Sequence, residues 1–160
     1  MKGSHRHKKA VLKLAKLHYR VRCQRQDAIH KATTQMVQKA AIIGIEDLNV
    51  AGMLKNHRLA LSLSDAALGE IHRQLRYKAA WVGTCVQATD RFFPSSQLHH
   101  GCGGRKSDLT LADRIWICPL CGGAVDRDLN AALNIRDEAL RVIGLPVLAR
   151  SAGKSPVDAA

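Results

Sequence analysis

"AIIGIEDLNV", residues 41–50, is a short apolar run that ends in two acids. Ala41 to Ile45 shows no polar alternation and has no turn residue other than Gly44. A continuous run of this kind predicts a strand covered on both faces, the habit of parallel sheets. The strand delivers Glu46 and Asp47 at its carboxyl end. In an open α/β sheet that edge is where ligands and catalytic groups gather, because the loops there vary over a rigid scaffold. The reading therefore starts from an α/β class.

Upstream, Ser4 to about Ala40 contains no proline, and its apolar residues Val11, Leu14, Leu17, Val21, Ala28, Ile29, Ala32, Met36, Val37 and Ala40 fall near helical spacing. This predicts one long basic helix, or two. The other face carries Lys8, Lys9, Lys13, Lys16, Arg20, Arg22, Arg25 and Lys31, which are either plainly solvated or contacts for a phosphate backbone. Lys9, Lys13, Lys16 and Arg20, with Arg91 further on, are the candidate nucleic-acid contacts.

Downstream, "AGMLKNHRLA" (51–60) reads as a loop, and Ser64 reads as the cap of a helix with Ala67, Ile71, Leu75 and Ala79 on one face. "TCVQAT" (84–89) is a second short strand, and "DRFFPSS" (90–96) turns the chain outward. "DRDLNAALNIRDEALRVIG" (126–144) is a helix expected to face inward with Leu129, Ala132, Leu133, Leu140 and Ile143. The last residues have no clear period and read as a disordered tail.

Hydrophobic residues at 46% and charged residues at 24% are globular proportions, so 160 residues suit one core with a small inserted module. Twenty-five Lys and Arg against thirteen Asp and Glu leave a formal charge of +12, and that field favours a polyanionic partner, nucleic acid first. No run approaches the roughly 20 apolar residues of a membrane span, and the start has no signal-peptide core. A cytoplasmic, nucleoid-associated chain is expected.

Three of the five cysteines cluster with histidines, which suits metal ligation better than a disulfide framework. Cys23 and Cys85 read as buried or incidental thiols. Cys118-Pro-Leu-Cys121 followed by two glycines is a zinc knuckle: two intervening residues let both sulfurs face one ion, and the glycines let amides approach the sulfurs. Cys102-Gly103-Gly104 is half of a second knuckle, with fifteen residues between Cys102 and Cys118. His99 stands where its first cysteine would be, keeping the two-residue gap; His100 competes. A site of His99, Cys102, Cys118 and Cys121 would hold structural Zn2+, while an empty, decayed knuckle is the bland alternative. "RIWIC" (114–118) would be the strand leading into the second knuckle.

Two acidic spots remain, Glu46-Asp47 after a strand and Asp126-Arg127-Asp128 at a helix start. Carboxylates so held can bind Mg2+ ions for phosphodiester cleavage. Equally, Asp126 can simply cap the helix while Asp128 complements its dipole.

"IEDLNVAGM", "RQLRYKAAW", "DRFFPSS", "RIWICPLCGG" and "DRDLNAALNI", in that order and from about Lys2 to Arg141, resemble the C-terminal half of the TnpB (OrfB) proteins of insertion sequences. These are RNA-guided DNA endonucleases related to type V CRISPR nucleases. The resemblance implies a RuvC-like domain of the RNase H type with a long N-terminal helix and an inserted zinc ribbon. Its parts would be a RuvC-like part over 1–93, the ribbon over 94–125, a closing helix over 126–143 and a disordered tail over 144–160. It implies DNA and guide RNA as partners and a catalytic acid set in which Glu46 matches the second member and Asp128 the third. The family's first Asp, on an early strand in a D-x-G context, has no counterpart here. The expectation is a truncated copy that binds nucleic acid and is inactive or weak as a nuclease by itself. The alternatives are a working Mg2+ nuclease with Asp47 or Asp90 as substitute carboxylate, and a small zinc-ribbon regulator.

Overall fold

The computed structural model describes residues 3–58, 60–110 and 112–147. Most of the expected tail, 148–160, lies outside the described residues.

The basic segment is one helix, α1 (His5–Lys39), of 35 residues, capped by Ser4, whose hydroxyl accepts from the His7 amide at 3.2 Å. At 1.5 Å per residue it is about 52 Å long. It meets the body toward its end: every residue from Gly3 to Ala28 is exposed, Arg25 reaches Asp65 in an ion pair at 2.9 Å, and burial begins with Ile29, Thr33 and Val37. Thus Val11, Leu14, Leu17 and Val21, which share a face by spacing, pack against nothing among the described residues, and Ala28, Ala32 and Met36 are exposed too.

β1 (Ile42–Ile45) pairs in parallel with β2 (Cys85–Ala88), Ile42 opposite Cys85 and Ile45 opposite Ala88. The pleat divides β1 between two layers. Ile43 and Ile45 join Val37 of α1 with Leu75 and Ala79 of α4 (Leu68–Val82). Gly44 faces the opposite side, against α5 (Arg127–Val142): a Cβ on Gly44 would lie 3.0 Å from Ala139 Cβ and 3.0 Å from the Ile135 carbonyl oxygen. Both faces are covered, as the uninterrupted apolar run requires, and the only residue that lets α5 so close is the one without a side chain.

Three expectations fail locally. The stretch 51–60 is not all loop. Asn49 caps a single turn, α2 (Val50–Met53), by accepting from the Gly52 amide at 3.0 Å, and α3 (Ala60–Ala66) starts at its end. Ser64 caps nothing, because it lies inside α3; the break before α4 is made by Ala67, whose backbone is left-handed at φ 50°. On α5, Leu129 and Ala132 are exposed, and the buried residues are Asn130, Asn134, Asp137 and Ala139. The reason is the partner: this face meets a bent loop, residues 95–100, whose free carbonyls need donors more than apolar cover.

A second small sheet pairs β3 (Ile115–Ile117) with β4 (Ala124–Asp126) in antiparallel register. Trp116 and Val125 pack there with Cys118 and Leu109, a core separate from the first. α5 ends in a Schellman turn at Gly144 (φ 75°), the Leu145 amide donating to the Leu140 carbonyl at 2.9 Å. The first residues of the expected tail therefore still belong to the helix end. Cys23 and Cys85 are both exposed.

Candidate metal centre and acidic cleft

The two half-knuckles are built alike. The His99 amide donates to the Gly104 carbonyl at 2.8 Å, and the Gly103 amide donates back to the His99 carbonyl at 2.8 Å. In the other, the Cys118 amide donates to the Gly123 carbonyl and the Gly122 amide to the Cys118 carbonyl, each at 2.9 Å. Gly103 and Gly122 occupy the same left-handed position, at φ 75° and 73°, where a Cβ would cost energy. His99 thus stands in the place that Cys118 holds in the second turn.

The four side chains converge. His99 Nδ1 lies 3.0 Å from Cys102 Sγ and 3.2 Å from Cys121 Sγ, Cys102 Sγ lies 3.5 Å from Cys118 Sγ, and all four donor atoms are within 4.8 Å of one another. A tetrahedral centre with bonds of about 2.3 Å to sulfur and 2.0–2.1 Å to nitrogen has edges of about 3.8 and 3.6 Å, so the donors need shift by little more than half an ångström to hold an ion. The glycines shape the space around them. A Cβ on Gly104 would meet Cys118 Sγ at 2.8 Å and Leu120 Cβ at 2.8 Å. Burial, and next the neighbouring His100, push His99 below the usual imidazole value and favour the neutral, ligating form. Burial raises the Cys118 thiol, but hydrogen bonds from the amides of Cys121 and Leu120, with those of the Cys102 and Cys121 thiols, outweigh it and favour the thiolate. The residues present fit a structural metal ion.

His100 is engaged elsewhere. Its Nε2 lies 2.8 Å from Asp137 Oδ2, and its amide donates to Asn130 Oδ1 at 2.8 Å. Asn130 and Asn134 each donate to the Leu98 carbonyl at 2.6 Å, and Asn134 also reaches the Ser95 carbonyl at 2.8 Å. Burial opposes ionisation of Asp137, yet hydrogen bonds from Arg136 and His100 hold its carboxyl below the ordinary range. These α5 side chains fix the loop that carries His99, and sequence reading missed them. The signal was present: Asn130, Asn134 and Asp137 fall at i, i+4 and i+7, one helix face.

The acids lie at the carboxyl end of β1. Glu46 Oε1 accepts from Ser95 Oγ at 2.9 Å, and Asp47 pairs with Arg91 at 2.7 Å. Both line a cleft of about 360 Å³ together with Asp90, Arg91, Ser95 and Arg105. Asp90 also caps its own turn, accepting from the Phe92 amide at 2.8 Å. Asp126 is the cap of α5, accepting from the Leu129 amide at 2.8 Å. Asp128 stands in the first turn and pairs with Arg114 at 3.2 Å and Arg127 at 3.5 Å. It shares a helix face with Ile135, which crosses Gly44, and so lies about 10 Å along the axis from that crossing. Among the described residues, the one group of three or more Cys, His or carboxylate side chains gathered closely enough for an ion is the knuckle set. Glu46, Asp47, Asp90 and Asp128 do not form another.

Lys9, Lys13, Lys16 and Arg20 form an exposed stripe on α1, spaced so that they share a face. Arg91 is not free in the same sense, being tied to Asp47. No helix of the described residues is long and apolar enough to cross a membrane.

A mixed helix-and-strand body with a histidine- and cysteine-lined knuckle pair defines the class: a metal-ribbon protein with a basic arm. A family model described as "Cas12f1-like, TNB domain" matches residues 69–135, and one for the OrfB insertion-sequence family, described as "Probable transposase", matches residues 1–57. A Streptomyces pristinaespiralis protein named "Putative RNA-guided DNA endonuclease" is 46% identical over 134 residues, covering 84% of this chain and 33% of that protein. A Mycobacterium tuberculosis protein of the same name is 36% identical over 151 residues, covering 89% and 32%, and InsQ of Escherichia coli is 31% identical over 150 residues, covering 84% and 37%. The chain belongs to the TnpB/OrfB family of insertion-sequence proteins. It spans about a third of the length of the curated relatives it matches.

Proposed function

We propose that this chain is a nucleic-acid-binding part of an RNA-guided DNA endonuclease, with DNA and guide RNA as its partners, and that by itself it cleaves DNA weakly or not at all. The observation that carries the second half is the scatter of the acids. Asp47 is held by Arg91 and Asp128 by Arg114 and Arg127, and among the described residues no three carboxylates gather. A divalent-ion site for phosphodiester cleavage needs carboxylates that bridge and fix the ions. Glu46 and Asp128 are the second and third acids of the proposed RuvC-like (RNase H type) domain, with Mg2+ as the ion of the completed site.

The proposed domain comprises residues 1–93 and 126–143, the ribbon 94–125 inserted between them, with zinc as its structural ion. Supporting this division, the ribbon has its own core around Trp116 while α5 packs back on Gly44 of β1. Zinc suits three thiolates and a neutral imidazole at this spacing, and such an ion can contribute on the order of 10 kcal/mol to a module with little core. The basic stripe of α1 would take the phosphate backbone, its charges reaching beyond the body on an exposed helix.

A second reading, a working nuclease with a substitute carboxylate, is favoured by the presence of Asp47 and Asp90 in one cleft with Glu46. Plasmid nicking with Mg2+ decides. No cleavage above background by the purified chain is expected; efficient cleavage abolished by Glu46→Ala and by Asp128→Ala would establish the second reading.

A further inference from the structure

The loop between β2 and the first half-knuckle is engaged at both of its ends. At one end Ser95 Oγ donates to Glu46 Oε1 at 2.9 Å. At the other, four residues on, His99 enters the metal set. Glu46 has no ion-pair partner among the described residues, unlike Asp47, which Arg91 holds, and its side chain makes no hydrogen bond there except the one from Ser95. Ser95 is 6% exposed, so its hydroxyl is a fixed donor with little water to exchange for.

The stretch between the ends is stiff. The Ser95 amide donates to the Phe93 carbonyl at 2.8 Å, and the Gln97 and Leu98 amides both donate to the Pro94 carbonyl, at 3.0 and 3.2 Å. From α5, the Asn134 side chain spans the turn by donating to the carbonyls of Ser95 and Leu98, while Asn130 takes the Leu98 carbonyl and the His100 amide. The Leu98 carbonyl therefore belongs to both clamps. A displacement of His99 cannot be absorbed along this stretch without breaking a bond to a buried asparagine, which leaves a desolvated polar group unpaired. The knuckle end has little to hold it except the metal: the ribbon core consists of Trp116, Cys118 and Val125 with Leu109, and none of these lies in residues 95–104.

We propose that residues 95–100 are a strut through which the metal held by His99 sets the position of Glu46, with Ser95 as the positioning residue. This coupling presupposes the zinc site and the role of Glu46 given above, and joins them: loss of the ion releases the acid. Coupling of this kind is reciprocal, so cutting the bond to Glu46 must weaken metal binding by the factor by which metal loss weakens the bond.

The test uses the full 160-residue chain under reducing conditions, zinc-loaded and stripped by chelator. Its three glutamates, Glu46, Glu70 and Glu138, give three carboxyl-carbon NMR signals on selective labelling, and Glu46→Gln identifies the one of interest. Zinc removal should move the Glu46 signal toward the position it takes in zinc-loaded Ser95→Ala, while Glu70, tied to Arg73 on α4, stays. Zinc affinity is measured by competition with a chromophoric chelator. It should fall about five-fold or more in Ser95→Ala and in Glu46→Ala, no further in the double variant, and less than about two-fold in Glu46→Gln, which keeps an oxygen to accept from Ser95. Affinity unchanged in both alanine variants, or a Glu46 signal that zinc removal leaves in place, overturns the strut and leaves the zinc site standing. If the Glu70 signal moves as well, the stripped chain has lost its fold as a whole, and the affinity series decides alone. A wild-type chain that takes up no zinc overturns both.

Discussion

Gly44→Ala tests the packing that holds the acidic edge against α5. The added Cβ would lie 3.0 Å from Ala139 Cβ, 3.0 Å from the Ile135 carbonyl oxygen and 3.2 Å from Ile135 Cγ2. Ordinary contact is about 3.5–4.0 Å, so α5 must retreat by roughly half an ångström or more, and neither a helix backbone nor a buried alanine can turn aside. Overpacking of this kind costs about 1–3 kcal/mol, partly offset by the few tenths gained from stiffening the unfolded chain. About 2 kcal/mol in a domain of this size lowers Tm by roughly 4–8 °C. The assay is thermal unfolding by circular dichroism on metal-loaded protein, with Gly69→Ala as control, because a Cβ there meets only Val50 Cγ1 at an ordinary 3.9 Å. A Gly44→Ala melt within about 1 °C of wild type would refute the argument that α5 crosses β1 at van der Waals limit.

Removing the stripe by Lys9→Ala, Lys13→Ala, Lys16→Ala and Arg20→Ala together should flatten the dependence of log affinity for duplex on log salt by about 3 to 4, at roughly 0.9 per lost phosphate contact; an unchanged slope places the contacts elsewhere. Glu70 is held at about 2 by its hydrogen bonds from Arg73 and then Gln74, so its contribution is present above pH 4.5 and lost as pH falls toward 2. Because the pair is at the surface that contribution is below about 1 kcal/mol, and NMR titration of Arg73→Ala should show the carboxyl rising toward 4.5. Asn134→Ala leaves the buried Ser95 carbonyl without this donor and should cost about 1–3 kcal/mol by urea denaturation; a loss under about 0.5 kcal/mol would mean that the 95–100 loop is held by other means.

What sequence disclosed and what it hid divide along physical lines. The strand at 42–45 and the knuckle at 118–121 were legible because each depends on local chemistry: an apolar run must be covered, and two thiols two residues apart must face one way. The position of His99 was legible as far as spacing goes, but its advantage over His100 comes from Asp137, some forty residues on, and no local rule reaches it. Periodicity on α5 selected Leu129 and Ala132, while the fold buries Asn130 and Asn134, because hydrophobic spacing counts apolar residues and is blind to a partner made of carbonyls. Ala67 likewise breaks the helix with a left-handed backbone that alanine rarely takes, and nothing in its neighbours announces it. The apolar residues of the α1 arm looked like a core face. Among the described residues no tertiary contact reaches them.

Metal content with ligand substitution tests the central claim most directly. Purified protein, dialysed and measured for zinc, should hold one ion per chain. That content should fall sharply in His99→Ala and Cys118→Ser, and it should persist in His100→Ala, whose imidazole faces Asp137. Zinc well below one per chain in the wild type, or equal loss from His99→Ala and His100→Ala, would contradict the site as built.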